Sequence, residues 1–123
     1  MKTLAIDYGK VRSGVAVSDA SGTIARPVGV VEDAASEAGL ERILELIRSE
    51  GVEEIVVGMP FTLKGERGAQ ARETDEFVEA LRARVDVPVE TYDERFTTTL
   101  GGEDDKAAAH LLASFLQAKG ARS

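Results

Sequence analysis

The 123-residue chain contains no cysteine, which excludes a disulfide scaffold, a thiolate zinc site and chemistry by a cysteine nucleophile. It has no apolar run approaching the ~20 residues that a membrane helix needs. The apolar start Thr3-Leu4-Ala5-Ile6 meets an acid at Asp7, so no signal peptide is expected. Internal repeats, low-complexity tracts and linkers rich in Pro, Gly or Ser are also missing. These absences predict one soluble, cytoplasmic domain over residues 1–123. A chain of this length buries roughly two thirds of its unfolded surface and folds without disulfide or structural metal. With 43% hydrophobic and 30% charged residues, its composition is globular rather than disordered.

Positive charge is in deficit, and the net charge is −7. Chains that bind nucleic acid are usually basic. The deficit is local, however. Residues 32–58 carry eight acids against Arg42 and Arg48, whereas residues 1–31 set Lys2, Lys10, Arg12 and Arg26 against Asp7 and Asp19. The net charge therefore describes one acidic surface and leaves room for a basic face elsewhere.

Thr3-Leu4-Ala5-Ile6 reads as a strand ending near Asp7, and Ser13 to Ser18 as a second. Asp19-Ala20-Ser21-Gly22 is turn chemistry, so a third antiparallel strand is predicted around Thr23 to Val31. The period then changes. Leu40, Ile43, Leu44 and Ile47 follow i, i+3, i+4, i+7 spacing, which predicts a helix over Ala34 to Glu50 with those four as core. Gly51 ends it. Glu54 to Gly58 is a short strand stopped by Pro60, and a second helix spans Gln70 to Arg84 on Phe77, Ala80 and Leu81. Val87 to Tyr92 is a fifth strand, where Pro88 near the beginning is tolerated. A last helix runs from Asp104 to Lys119 on Ala108, Ala109, Leu112, Phe115 and Leu116. A meander followed by right-handed strand-helix-strand units predicts an α/β fold, a mixed five-stranded sheet of order 3-2-1-4-5 with helices on both faces.

Three acids fall where elements end. Asp7 closes the first strand, Glu94 follows the fifth, and Asp105 begins the last helix on the stripe of Ala108, Ala109 and Leu112. Carboxylates gathered over one end of a sheet repel one another unless cations neutralise them. Oxygen ligands of this kind suit Mg²⁺ or Mn²⁺. Two such ions ~4 Å apart clamp the attacking and leaving oxygens of a phosphodiester. Each acid also has a plainer reading: Asp7 as a turn-former before Gly9, Glu94 as a partner of Arg95, and Asp104 with Asp105 as acids at a helix N-terminus. Asp104 is an alternative to Asp105 as a ligand. Gly9 and Gly14 read as hairpin-turn glycines. His110 lies about 140° around the last helix from Asp105 and reads as solvated.

The run Asp7-Tyr8-Gly9-x-x-Arg12-x-Gly14-Val15-Ala16 resembles the opening motif of the YqgF family. Val57-Gly58-Met59-Pro60 with Gly65, Gly68 and Ala71, then Asp93-Glu94-Arg95-Phe96-Thr97-Thr98, and finally Asp105-x-x-Ala108-Ala109-x-x-Leu112, are similar to its later motifs. The family comprises Holliday-junction-resolvase-like proteins assigned as pre-16S ribosomal RNA nucleases. The resemblance implies a ribonuclease H-like fold, with Asp7, Glu94 and Asp105 as catalytic residues and metal ligands. It also implies phosphodiester hydrolysis in maturing the 5′ end of 16S ribosomal RNA, with pre-16S RNA as partner and DNA junctions as a further possible substrate. Lys10, Arg12 and Arg95, with the hydroxyls of Thr97 and Thr98, are the candidate nucleic-acid contacts. Lys64, Arg67 and Arg72 read as solvated charge.

One departure stands out. Family members place a longer basic stretch between the Thr-Thr run and the closing acid, where this chain has only Thr99 to Asp104. Shortening it removes cations that would hold a phosphate backbone, so weaker binding is expected. Three other functions share the pattern: a Holliday junction resolvase, a non-catalytic ribosome-assembly or nucleic-acid-binding module, and an ATPase of the actin-like type. The last needs a second domain that 123 residues cannot hold. Monomer and homodimer both remain open.

Overall fold

The computed structural model describes residues 1–59, 68–93 and 104–121, the last of these with side chains for residues 107–119. Five strands form one sheet: β1 (Thr3–Asp7), β2 (Arg12–Ser18), β3 (Ala25–Glu32), β4 (Glu54–Met59) and β5 (Val89–Asp93). Three helices alternate with the later strands: α1 (Glu37–Glu50), α2 (Ala69–Arg82) and α3 (Asp104–Ala121). The sheet order is β3-β2-β1-β4-β5, as expected, with β1–β2 and β2–β3 antiparallel and β1–β4 and β4–β5 parallel.

Element ends differ from the expected ones for identifiable reasons. Asp19 accepts from the backbone N–H of Thr23 at 2.8 Å and of Ile24 at 3.0 Å. Those residues therefore belong to the turn, and β3 starts at Ala25 rather than Thr23. The first helix starts at Glu37 rather than Ala34 because Ser36 caps it, accepting from the Gly39 N–H at 3.0 Å. Gly39 is required there, since a Cβ would collide with the backbone of Asp33 and Ala34. Gly51 ends the helix in the left-handed region at φ 67°, as predicted. Pro88 has no N–H to donate, so β5 opens at Val89 instead of Val87, and Ile55 N–H donates to the Pro88 carbonyl.

Strand alternation sorts the core into two layers. Leu4, Ile6, Val15, Val17, Ile55 and Val57 face α1 and α2, where Leu40, Ile43, Leu46, Phe77, Val78 and Leu81 pack on them. On the other face Ala5, Ala16 and Val56 meet Ala108, Leu111, Leu112 and Phe115 of α3. The helices thus lie on both faces, as predicted. Within α1 the expected core holds in part: Leu44 and Ile47 are only half-buried, Ile47 still packing against the core, and Leu46 is buried. The apolar stripe of α1 turns slightly toward Leu46, so Leu40 and Ile43 keep their core positions and Leu44 lies at the stripe's edge. Leu111 and Thr74 are further buried residues that the spacing argument passed over.

Candidate functional site

Asp7 is the last residue of β1 and is half-buried. Alternation with Thr3 and Ala5 puts it on the α3 face of the sheet. Among the described residues its carboxylate makes no hydrogen bond or ion pair. Its neighbours on both adjoining strands are glycines. Gly14 of β2 is its direct cross-strand partner, and one step beyond the Ile6–Val57 pair in the parallel register stands Gly58 of β4. Beyond Gly58, in the same row, comes Tyr92 of β5. The carboxylate is therefore flanked on either side by a strand position with no side chain.

The backbone around Asp7 is held from the opposite face. Tyr8 stacks on Phe77 of α2, with centroids 4.5 Å apart and planes at 21°. Gly9 accompanies it: its N–H donates to Ser13 Oγ at 3.0 Å, and a Cβ there would collide with the carbonyl oxygen of Arg12. Gly9 therefore serves the hairpin, as read. Gly14 does not, because it lies inside β2 opposite Asp7. Its place opposite the acid had no signal in the sequence apart from its spacing within the Asp-Tyr-Gly motif.

Burial, followed by the nearby charges of Glu73, Asp33 and Glu76, raises the Tyr8 hydroxyl above its ordinary pKa. Tyr8, Lys10, Glu73, Glu76 and Phe77 line a cleft of about 420 Å³ on the α2 side. Lys10 is thereby across the sheet from Asp7. Arg12 opens β2, is exposed, and stands two residues from Gly14, on the Asp7 side. His110 is exposed on α3, as read.

Glu94, Arg95, Thr97 and Thr98 lie outside the described residues, immediately after the end of β5 at Asp93. Asp104 and Asp105 form the start of α3, and their side chains are likewise outside the description. Lys64 and Arg67 also lie outside it, while Arg72 is exposed on α2. No three acids or histidines converge among the described residues. What the site can do chemically rests on the donor type. A half-buried carboxylate without a protein partner is costly unless a cation accompanies it, and carboxylate oxygens fit hard divalent ions.

A family model described as "RuvX: Holliday junction resolvase" matches residues 1–109. A "Putative pre-16S rRNA nuclease" of Chloroflexus aurantiacus is 41% identical over 95 residues, covering 77% of this chain and 62% of that protein. A protein of the same name in Desulforudis audaxviator is 44% identical over 98 residues, covering 80% and 70%. Another, in Maridesulfovibrio salexigens, is 38% identical over 111 residues, covering 90% and 82%. The chain thus spans less than two thirds of the Chloroflexus relative's length. Among solved structures, T. thermophilus RuvC in complex with a Holliday junction substrate has a TM-score of 0.64 at 18% identity, covering 98% of this chain and 96% of that one. That likeness concerns the fold, which is ribonuclease H-like as the sequence motifs implied. No helix among the described residues is long and apolar enough to cross a membrane.

Proposed function

The chain belongs to the RuvX family, and from that membership and the setting of Asp7 we propose that it is a metal-dependent nuclease. Its reaction is hydrolysis of RNA phosphodiesters in 5′-end maturation of pre-16S ribosomal RNA, within a cytoplasmic, single ribonuclease H-like domain spanning residues 1–123. The observation that carries this reading is the half-buried Asp7 carboxylate at the end of β1, without a protein partner among the described residues and flanked by Gly14 and Gly58.

Asp7, Glu94 and Asp105 would hold Mg²⁺ or Mn²⁺, which when bound polarises the phosphoryl oxygen and lowers the pKa of water. The protein's own groups do the rest. Asp7 sits on the ladder between two strands and is fixed from behind by the Tyr8–Phe77 stack. Gly14 and Gly58 set no side chain beside Asp7 on the neighbouring strands. Arg12 and Arg95 orient the phosphate through charge-assisted hydrogen bonds, and the hydroxyls of Thr97 and Thr98 add neutral contacts. Lys10, across the sheet, reaches substrate only where the strand passes over the end of β1.

The test is cleavage of an RNA precursor carrying the 5′ end of 16S ribosomal RNA, with Mn²⁺, by the natural chain and by Asp7→Asn. A rate lower by orders of magnitude for Asp7→Asn, and none in excess chelator, is expected. Cleavage that survives either change sinks the reading. The family description favours a second substrate, the four-way DNA junction; a junction cut faster than the RNA precursor would put that reading first. Binding of the RNA without any turnover would leave only a non-catalytic module.

A further inference from the structure

The end of α3 is tied to the start of β1 through one buried carboxylate. Glu54 opens β4 and is only 5% exposed. It accepts from Thr3 Oγ1 of β1 at 2.8 Å and pairs with Lys119 of α3. The Lys119 ammonium lies 5.7 Å from the centre of the Phe115 ring and 3.7 Å from Met1 Sδ. The remaining contact between α3 and the sheet, among the described residues, is apolar: the small side chains of Ala5, Ala16, Ala25 and Val56 face the helix, and Tyr92 of β5 meets Phe115 edge-on at 5.9 Å. Contact of small apolar side chains is non-directional, so apart from the Tyr92–Phe115 edge contact this surface fixes how far the helix stands from the sheet better than where it sits along its axis. The ion pair is directional, and displacing the helix would leave Glu54 a buried charge without its cation.

We propose that Lys119 and Glu54 are positioning residues for the acidic centre: their pair sets the axial register of α3 on β1 and β4. The inference rests on the reading of Asp7 and Asp105 as partners in one site. Both elements are joined at one end and carry an acid at the other. Thr3 begins β1 and Asp7 ends it; Lys119 stands in the last turn of α3 and Asp105 in its first. The two α3 residues are 14 positions apart, which makes ~21 Å of rigid helix. A slip of one residue at Lys119 therefore moves Asp105 by ~1.5 Å, a displacement large enough to spoil a catalytic constellation.

Lys119→Met alone would strand the Glu54 charge, so the informative variant is the apolar pair Glu54→Leu with Lys119→Met, which keeps the volume and removes the directional contact. Because the natural chain has no cysteine, spin labels at His110→Cys on α3 and Val11→Cys beside β2 report the helix position directly; both sites are exposed. The expected result has three parts. The label distance broadens or shifts by ~1.5 Å or more in the apolar pair, the size of at least one helical residue. Mn²⁺ affinity measured by calorimetry falls at least ten-fold, and kcat for RNA cleavage falls with little change in KM. The conservative single variant Lys119→Arg, with Glu54 kept, holds all three at the values of the natural chain. An unchanged label distance in the apolar pair overturns the proposal. So does an altered distance with undiminished Mn²⁺ affinity, provided that Asp7→Asn abolishes Mn²⁺ binding. If Asp7→Asn binds Mn²⁺ like the natural chain, the metal reading itself fails, and the label distances then decide the register claim alone.

Discussion

Asp7 and Gly14 are direct partners across the β1–β2 pair, and this pairing puts the absence of a side chain beside the acid. Gly14 lies in extended backbone inside a strand, where glycine is less stable than alanine by about 0.5–1 kcal/mol. Its presence is therefore better explained by the side chain it withholds beside Asp7 than by a turn. Gly14→Ala should keep or raise the thermal midpoint while lowering Mn²⁺ affinity and cleavage at least ten-fold, and Gly14→Val should lower them further. Calorimetric titration with Mn²⁺ alongside a melting curve checks both halves. Undiminished Mn²⁺ binding by the valine variant would show that the missing side chain at position 14 plays no part in the site.

Burial in α1 separates two residues that the spacing treats alike. Ile43 is fully buried and touches the sheet layer, whereas Leu44 is half-buried at the edge of the same stripe. Ile43→Ala should cost ~2–5 kcal/mol, because it leaves a cavity under the helix. Leu44→Ala should cost about 1 kcal/mol, the ordinary effect of a partly exposed truncation. Urea denaturation with fixed m-values measures the two. Equal costs would show that the core extends further toward Leu44 than the fold indicates.

The topology was legible because its signals are local. Turn chemistry at Asp19 to Gly22 closes a hairpin, and the change to helical spacing at Leu40 announces the crossover. Element ends were less so, since they depend on which groups take the backbone bonds. Asp19 captures Thr23 and Ile24, Ser36 caps Gly39, and Pro88 lacks a donor. Asp7 was legible as the acid that ends β1 because strand periodicity stops there. The glycines beside it were not, because cross-strand partnership is set by register between segments far apart in sequence. Glu54 is the plainest case: an acid opening a short strand gives no sign that Thr3, 51 positions away, and Lys119, 65 positions away, close around it.

Asp19 carries the pH dependence that the geometry makes explicit. Hydrogen bonds from the Ile24 backbone, the Ser21 hydroxyl and the Thr23 backbone lower its carboxyl to about 2. A carboxyl lowered in the folded state stabilises the fold above its unfolded pKa of ~3.9, and this contribution disappears as the pH falls through the folded value. The β2–β3 turn should therefore weaken between about pH 4 and pH 2. Carboxyl-carbon NMR should place the Asp19 titration near pH 2. Asp19→Asn retains an acceptor for the turn and should flatten the fall in denaturation midpoint over that window. A titration near pH 4 would show that the turn bonds do not discriminate between the two forms.

Asp7 gives the prediction that separates a structural acid from a functional one. Among the described residues its carboxylate makes no hydrogen bond or ion pair, so replacing it breaks none to them. Asp7→Asn in excess chelator should consequently unfold within ~0.5 kcal/mol of the natural chain, as a substitution away from structural contacts does, or be more stable through reduced carboxylate repulsion. Added Mn²⁺ should then divide the two proteins. A ligand that binds only the folded state at 100 times its Kd stabilises by about 2.7 kcal/mol. The natural chain should gain on that order, and Asp7→Asn should gain little. Thermal unfolding with and without Mn²⁺ reads both effects in one experiment. A large loss of stability on Asp7→Asn in chelator would make Asp7 a structural residue, and an equal Mn²⁺ gain in both proteins would put the ion elsewhere.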